Sequence, residues 1–268
     1  IIYCKKAESG SNAELGKRAM TDEASADKLI NILASDQSSE RRALAAQAIG
    51  NAKLKKANIT LLKALESDDD SVRQHVVLAL GKVNIPSNFN IVLKVYNNRN
   101  ERENIRLNAL ESIGYFSDDK AVNTLIGAIK STENYSASAI ALKAIRYTNS
   151  DRAALYLLDM LKKDDTNTTV AESLAFLNQK VTFGDIIKIL DKKIMNNNFD
   201  VVFGTLITML SKEKYTPALQ LFVKAYLLGP DNRDMKKLYI KTFKDLNLNN
   251  SYVVVSSEIG RASCRERV

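Results

Sequence analysis

Two apolar patterns alternate along the chain. The first is a six-residue block with apolar or small residues at its first, second and fifth places: AAQAIG (45–50), VVLALG (76–81), ALESIG (109–114), ALKAIR (141–146), SLAFLN (173–178), and more weakly LITMLS (206–211) and TFKDLN (242–247). That spacing places the three positions on one face of a helix, and the blocks recur roughly every 31 to 36 residues. The second pattern, two adjacent apolar residues and a third on the next turn, precedes each block. It falls at Leu29/Ile30/Leu33, Leu61/Leu62/Leu65, Ile91/Val92/Val95, Leu125/Ile126/Ile129, Leu157/Leu158/Leu161, Ile186/Ile187/Leu190 and Leu221/Phe222/Ala225. Each unit therefore predicts two helices, and the chain predicts about seven antiparallel pairs. The connections Ser67–Ser71, Asn97–Asn100 and Ser131–Asn134 are rich in Asp, Ser and Asn, which cap helix starts by accepting bonds from free backbone amides. Gly50, Gly81 and Gly114 stand at the expected ends of second helices, where a left-handed terminal residue is least costly as glycine.

A single pair of amphipathic helices cannot bury its apolar face, whereas a stack shares one core, so the period predicts an all-α solenoid. Neither the T-P-L-H turn of ankyrin repeats nor the tryptophan of tetratricopeptide repeats is present. Instead Ser39-Glu-Arg-Arg42 before AAQAIG, Asp70-Ser-Val-Arg73 before VVLALG and Glu103-Asn-Ile-Arg106 before ALESIG resemble the HEAT repeat. The resemblance spans roughly Thr21 to Leu246, strongest in the first three units and weakest in the last two, which lack the arginine. The units are shorter than the usual ≈ 40–47 residues, and the chain is most similar to short bacterial HEAT-like repeats, including the phycobilisome-lyase type. The resemblance implies that Arg42, Arg73 and Arg106 join a structural ladder, with Asp68, Asp69 and Asp70 as candidate partners. It also implies that the second helices line a concave face. The expected organisation is a polar leader or tether over 1–20, the solenoid over 21–250, a truncated C-terminal segment over 251–257, and a foreign tail over 258–268.

That tail changes the charge and the cysteine count. Residues 258–268 resemble the in-frame translation of a common sequencing adapter and are set aside as a non-native scar. Without Glu258, Arg261, Arg265, Glu266 and Arg267 the net charge falls from +8 to +7, and Cys4 is the remaining cysteine. A disulfide framework and a cysteine-type zinc site are thereby excluded. The leader, Ile1-Ile-Tyr-Cys4 before a polar stretch, admits a lipid anchor at Cys4, as in an envelope lipoprotein. Tyr3 is bulky for such a signal, and the expected location is the cytoplasm. No run approaches the roughly 18 apolar residues of a membrane span.

Catalytic chemistry is sparse. His75 is the single histidine, so the His/Glu dinuclear centre that the resemblance to HEAT-like hydroxylases would imply lacks its ligands, and there is no phosphate-binding glycine loop or Gly-x-Ser-x-Gly elbow. The expectation is a non-catalytic protein with no cofactor, binding a protein or peptide. Its contact positions lie two and five residues before each Leu80-like anchor: Leu44/Gln47, His75/Leu78, Asn108/Glu111, Ile140/Lys143 and Glu172/Ala175. Their mixture of apolar, acidic, amide and basic groups suits a protein surface better than a nucleic-acid groove, which wants a continuous basic stripe. The last helix supplies the alternative. Arg233, Lys236, Lys237, Lys241 and Lys244 recur at helical spacing opposite Met235, Leu238, Phe243 and Leu246, a face for nucleic acid, anionic lipid or an acidic partner. A phycobilin-lyase-like enzyme acting on a linear tetrapyrrole is a further alternative implied by the repeat class alone.

Overall fold

The structure is a computed structural model and describes residues 14–131, 134–230 and 233–245. Among these residues the chain is helical without strands. After a helical turn over 14–18 come α1 (Glu23–Ser35), α2 (Ser39–Asn51), α3 (Asn58–Ala64), α4 (Asp70–Val83), α5 (Asn88–Asn97), α6 (Glu103–Ile113), α7 (Asp119–Lys130) and α8 (Tyr135–Ala144). They are followed by α9 (Asp151–Lys163), α10 (Thr168–Leu177), α11 (Phe183–Met195), α12 (Val201–Lys212), α13 (Leu219–Leu228) and α14 (Arg233–Asp245). Odd-numbered helices carry the paired-apolar pattern and even-numbered ones the six-residue block, which gives seven helix pairs. The chain divides into two compact units, Ile1–Asn149 and Ser150–Val268.

Helix starts follow the polar connections. Asp22, Ser38, Asp69, Asp118, Asn134, Ser150, Asn167 and Asp200 each accept a backbone amide of the helix they precede, satisfying donors that a helix leaves open. The Asn97–Asn100 connection differs: Asn98 folds its side chain onto the Asn100 amide, and α6 starts behind Arg102 without a side-chain cap. Short 3₁₀ turns lead into α3, α11 and α13 and bury Ala57, Thr182 and Ala218.

In the first unit, α2, α4, α6 and α8 stack in sequence, each also packed on its own first helix. Leu29, Ile49, Leu61, Val76, Leu80, Ile105, Leu110 and Ile113 are fully enclosed, each contributing about 1.5–3 kcal/mol relative to exposure. Gly50, Gly81 and Gly114 do not take the left-handed conformation expected of them. No described glycine has positive φ; Gly50 and Gly81 lie inside α2 and α4, and Gly114 has φ −60°. They serve close approach between second helices instead. A Cβ on Gly50 would lie 2.8 Å from the Ala79 Cα, one on Gly81 2.6 Å from the Ser112 carbonyl oxygen, and one on Gly114 2.9 Å from the Ala144 carbonyl carbon. The left-handed positions fall a few residues later, on Lys53 and Asn84, then on Asn149, Asn178, Asn197 and Lys214.

In the second unit, α10, α12 and α14 stack in sequence, as do α11 and α13. Here the sixth block position holds Asn178 and Ser211, and the fourth Phe176 and Met209, so the small-residue contact is lost. Edge-on aromatic pairs pack in this unit: Phe183 meets Tyr215 at 5.0 Å, Phe199 meets Phe203 at 4.9 Å, and Tyr226 meets Tyr239 at 5.7 Å, as Phe89 meets Phe116 at 5.7 Å in the first unit.

Candidate binding face on the second helices

The core-facing positions of the second helices fix which side chains face away from it. Ile49, Leu80, Ile113 and Ile145 are fully buried, and the residues two and five before each emerge on the opposite side. Leu44, His75, Leu78, Asn108, Glu111 and Ile140 are half-buried, and Gln47 and Lys143 are exposed. Because α2, α4, α6 and α8 are consecutive neighbours, these eight positions form one row along the first unit. The His75 Nδ1 donates to the Ser71 carbonyl at 2.7 Å, so in the neutral ring Nε2 is the acceptor nitrogen. The Asn108 Nδ2 is buried without a hydrogen-bond partner among the described residues. Glu172 is exposed and Ala175 half-buried on α10 of the second unit.

A polar network runs beside this row at the helix starts. Arg73 pairs with Asp70 at 2.6 Å and with Glu101 at 3.0 Å, while its Nη1 donates to the Ser67 carbonyl at 2.7 Å. Arg42 makes the equivalent bond to the Asp36 carbonyl at 2.9 Å. Of the three expected partners, Asp70 joins the network through Arg73 and Arg102, and Asp69 through the Ser39 hydroxyl, the Val72 amide and the charge of Arg42, which hold its carboxyl below the usual range. Asp68 takes no part among the described residues. Glu101 was not anticipated; burial alone would favour its neutral form, but Arg73 and the Arg102 amide outweigh that and lower it. The Arg106 Nε is buried without a partner among the described residues.

The second unit achieves the same bridge with a different residue. Lys193, near the end of first helix α11, is 1% exposed and pairs with Asp200 at 2.8 Å and Asp165 at 3.5 Å, joining the connections before α12 and α10. Successive first helices are further joined by Lys162–Asp185 at 2.8 Å and Lys224–Asp191 at 2.5 Å, and Lys188 pairs with Asp185 within α11 at 2.8 Å. Asp185 is lowered to about 2 by the bond from Lys162 and then that from Lys188.

Within the second unit, the positions two and five before the anchor Leu210 of α12 are Thr208 and Thr205. They line a groove of about 560 Å³ with Ala175, Val201, Gly204, Met209, Lys212 and Leu238. These threonines are not among the contact positions expected from the sequence, although the spacing from Leu210 gives them the same register as Glu172 and Ala175. On α14, Arg233, Lys237, Lys241 and Lys244 are exposed, and the Lys236 side chain lies outside the described residues. Met235 and Leu238 are half-buried and Phe243 is buried opposite them. None of these four cations pairs with a carboxylate among the described residues. Leu246, Cys4, most of the 1–20 leader, and the 251–257 and 258–268 segments lie outside the described residues. Among the described residues no group of three His, Cys, Asp or Glu side chains is placed to hold a metal ion, and no helix is long and apolar enough to cross a membrane.

A search of the curated proteins finds no match. Among solved structures the chain is similar to the crystal structure of an engineered protein, at 18% identity over 89% of this chain and 74% of that one, with a TM-score of 0.42. Residues 26–103 and 91–178 match HEAT repeats. These matches span more than half of the chain and take in the arginine network and the helix pairs from α1 through α10, and the chain belongs to the HEAT-repeat family.

Proposed function

We propose that the chain is a non-catalytic protein-binding scaffold whose partner lies along the second-helix face. HEAT solenoids commonly act as protein-interaction scaffolds, which supplies the class; the residues supply the face. The observation that carries it is the row Leu44, Gln47, His75, Leu78, Asn108, Glu111, Ile140 and Lys143, where half-buried apolar side chains alternate with donors and acceptors, the composition of a protein contact surface. The first-helix side of the second unit is instead tied up in Lys–Asp pairs between successive helices. The test is capture of partners from a native extract by the full chain, compared with Leu78→Asp/Ile140→Asp and with the first-helix substitution Ile59→Asp. Loss of the same captured protein only in the first variant supports the reading, and equal retention by all three sinks it.

A second reading rests on the unpaired cations Arg233, Lys237, Lys241 and Lys244 of α14, a face for nucleic acid. Contact of all four with phosphates gives an affinity for duplex DNA that falls with salt at a log–log slope of about −3 to −4. Ile240, 46% exposed, sits within that cationic face and favours a protein partner there too.

A further inference from the structure

The groove on the second unit is built differently from the row on the first. Its floor is Gly204, where an added Cβ would meet nothing nearer than the Leu238 Cδ2 at 4.0 Å, so the space above α12 is open. Val201 (65% exposed), Met209, Leu238 and Ala175 line it with carbon. Thr205 and Thr208 add to this, because their hydroxyls donate to the Val201 carbonyl at 2.9 Å and the Gly204 carbonyl at 2.7 Å, leaving their methyls as the free branch. Among the lining residues Lys212 alone is charged.

Lys212 is exposed and has no ion pair among the described residues, unlike Lys162, Lys163, Lys188, Lys193 and Lys224 of the same unit. The α12 and α14 ends lie together, since the Ser211 hydroxyl donates to Asp245 at 3.4 Å. Lys241, also exposed and unpaired among the described residues, lies one turn beyond Leu238 toward that end. Asp234 and Asp245 belong to α14 but do not line the groove.

We propose that this groove docks a protein segment in which large apolar side chains are followed by carboxylates. One apolar side chain seats over Gly204 between Val201, Met209 and Leu238, and a following carboxylate meets the Lys212 ammonium. An apolar trough with one convergent charge is the usual form of a small recognition site, and its volume lies in the usual range. A nucleic-acid strand would require a run of cations along the trough, where the lining offers one. This site is independent of the row on the first unit.

The test is fluorescence anisotropy with the full chain and the fluorescein-labelled octapeptide Ser-Ala-Leu-Leu-Glu-Asp-Glu-Ser. Comparison peptides replace both leucines by serine, or the three acidic residues by lysine. The acidic leucine peptide binds tightest; replacing the leucines weakens binding about tenfold or more, the scale of one buried leucine, and replacing the acidic residues by lysine weakens it by a smaller factor that shrinks with salt, because Lys212 is exposed. Gly204→Leu fills the trough and reduces affinity about tenfold with an unchanged or raised melting temperature, because the site is open and the helix loses a glycine. Lys212→Glu on the exposed helix end reverses the preference toward the lysine peptide. Leu78→Asp on the first unit leaves the peptide affinity unchanged. The proposal is overturned if the acidic leucine peptide does not bind, if the serine or lysine peptide binds as well, or if Gly204→Leu and Lys212→Glu both bind like the parent. It is equally overturned if duplex DNA displaces the peptide from the parent and from Gly204→Leu alike, which would place the binding on the α14 cations.

Discussion

Glycine does two opposite jobs in this chain, and a single methyl group separates them. At Gly81 a Cβ would run into the backbone of Ser112, whose hydroxyl already donates to the Val77 carbonyl at 2.6 Å. At Gly204 the same Cβ enters open space. Gly81→Ala is therefore expected to lower stability by about 1–3 kcal/mol through overpacking. Gly204→Ala is expected to raise it by about 0.5–1 kcal/mol by removing backbone freedom from the unfolded chain. Urea midpoints at unchanged slope measure both, and shifts of the same sign would contradict the close-approach role. Tyr239 gives a second residue-level expectation. Its hydroxyl is buried without a hydrogen-bond partner among the described residues, and burial pushes it up to about 12. A raised tyrosine favours the folded state below its unfolded value near 10 and loses that contribution as the pH rises toward about 12. Tyr239→Phe should thus cost little at neutral pH and flatten the alkaline loss of stability, as read by melting temperature across that range.

At the level of elements, successive repeats are fastened at the helix starts as well as through the core. In the first unit Arg73 spans from Asp70 to Glu101, a bridge legible in advance because the arginine recurs in phase with the repeat. In the second unit the arginine is absent and Lys193 takes the role from the other helix of the pair. No in-phase signal marked it, since a lysine near the end of a first helix is ordinarily a solvated residue. Lys193→Met should cost about 3–5 kcal/mol by stranding Asp200 and Asp165 in a half-buried site. Lys162→Met, removing an exposed pair with Asp185, should cost less than about 1 kcal/mol. Similar urea midpoints for the two variants would show that Lys193 is not a fastening. The glycine positions were legible too, but their purpose was not: α2 and α4 continue through Gly50 and Gly81, Gly114 follows α6 at φ −60°, and Lys53 and Asn84 take the left-handed positions beyond the first two. Spacing reveals that a small residue recurs; it does not reveal whether the cause is a turn or a neighbouring backbone.

For the whole molecule, the seven pairs and the buried anchors were readable from period alone, because amphipathic helices of similar length repeat one face. The weaker pattern of the last two units has a cause at the residue level: Met209 and Asp245 stand at the fourth block position, where the first units have Ala48 and Ala79, and Ser211 and Asn247 stand at the sixth, where those have Gly50 and Gly81, so the same architecture is written in different residues. The division at Asn149–Ser150 left no mark in the pattern, since ALKAIR and SLAFLN follow in phase across it. The row proposed for binding was legible as positions and not as a partner, since spacing fixes which side chains leave the core and says little about what they meet. The claim that all else depends on is that the face with Leu80 is core and the face with Gln47 is free. Far-ultraviolet circular dichroism of Leu80→Asp and Gln47→Asp tests it most directly. Leu80→Asp, which places a charge at a fully buried position, should collapse helicity, while Gln47→Asp should keep the spectrum and melting temperature of the parent. Equal effects in the two variants would contradict the assignment of faces and, with it, the row proposed for binding.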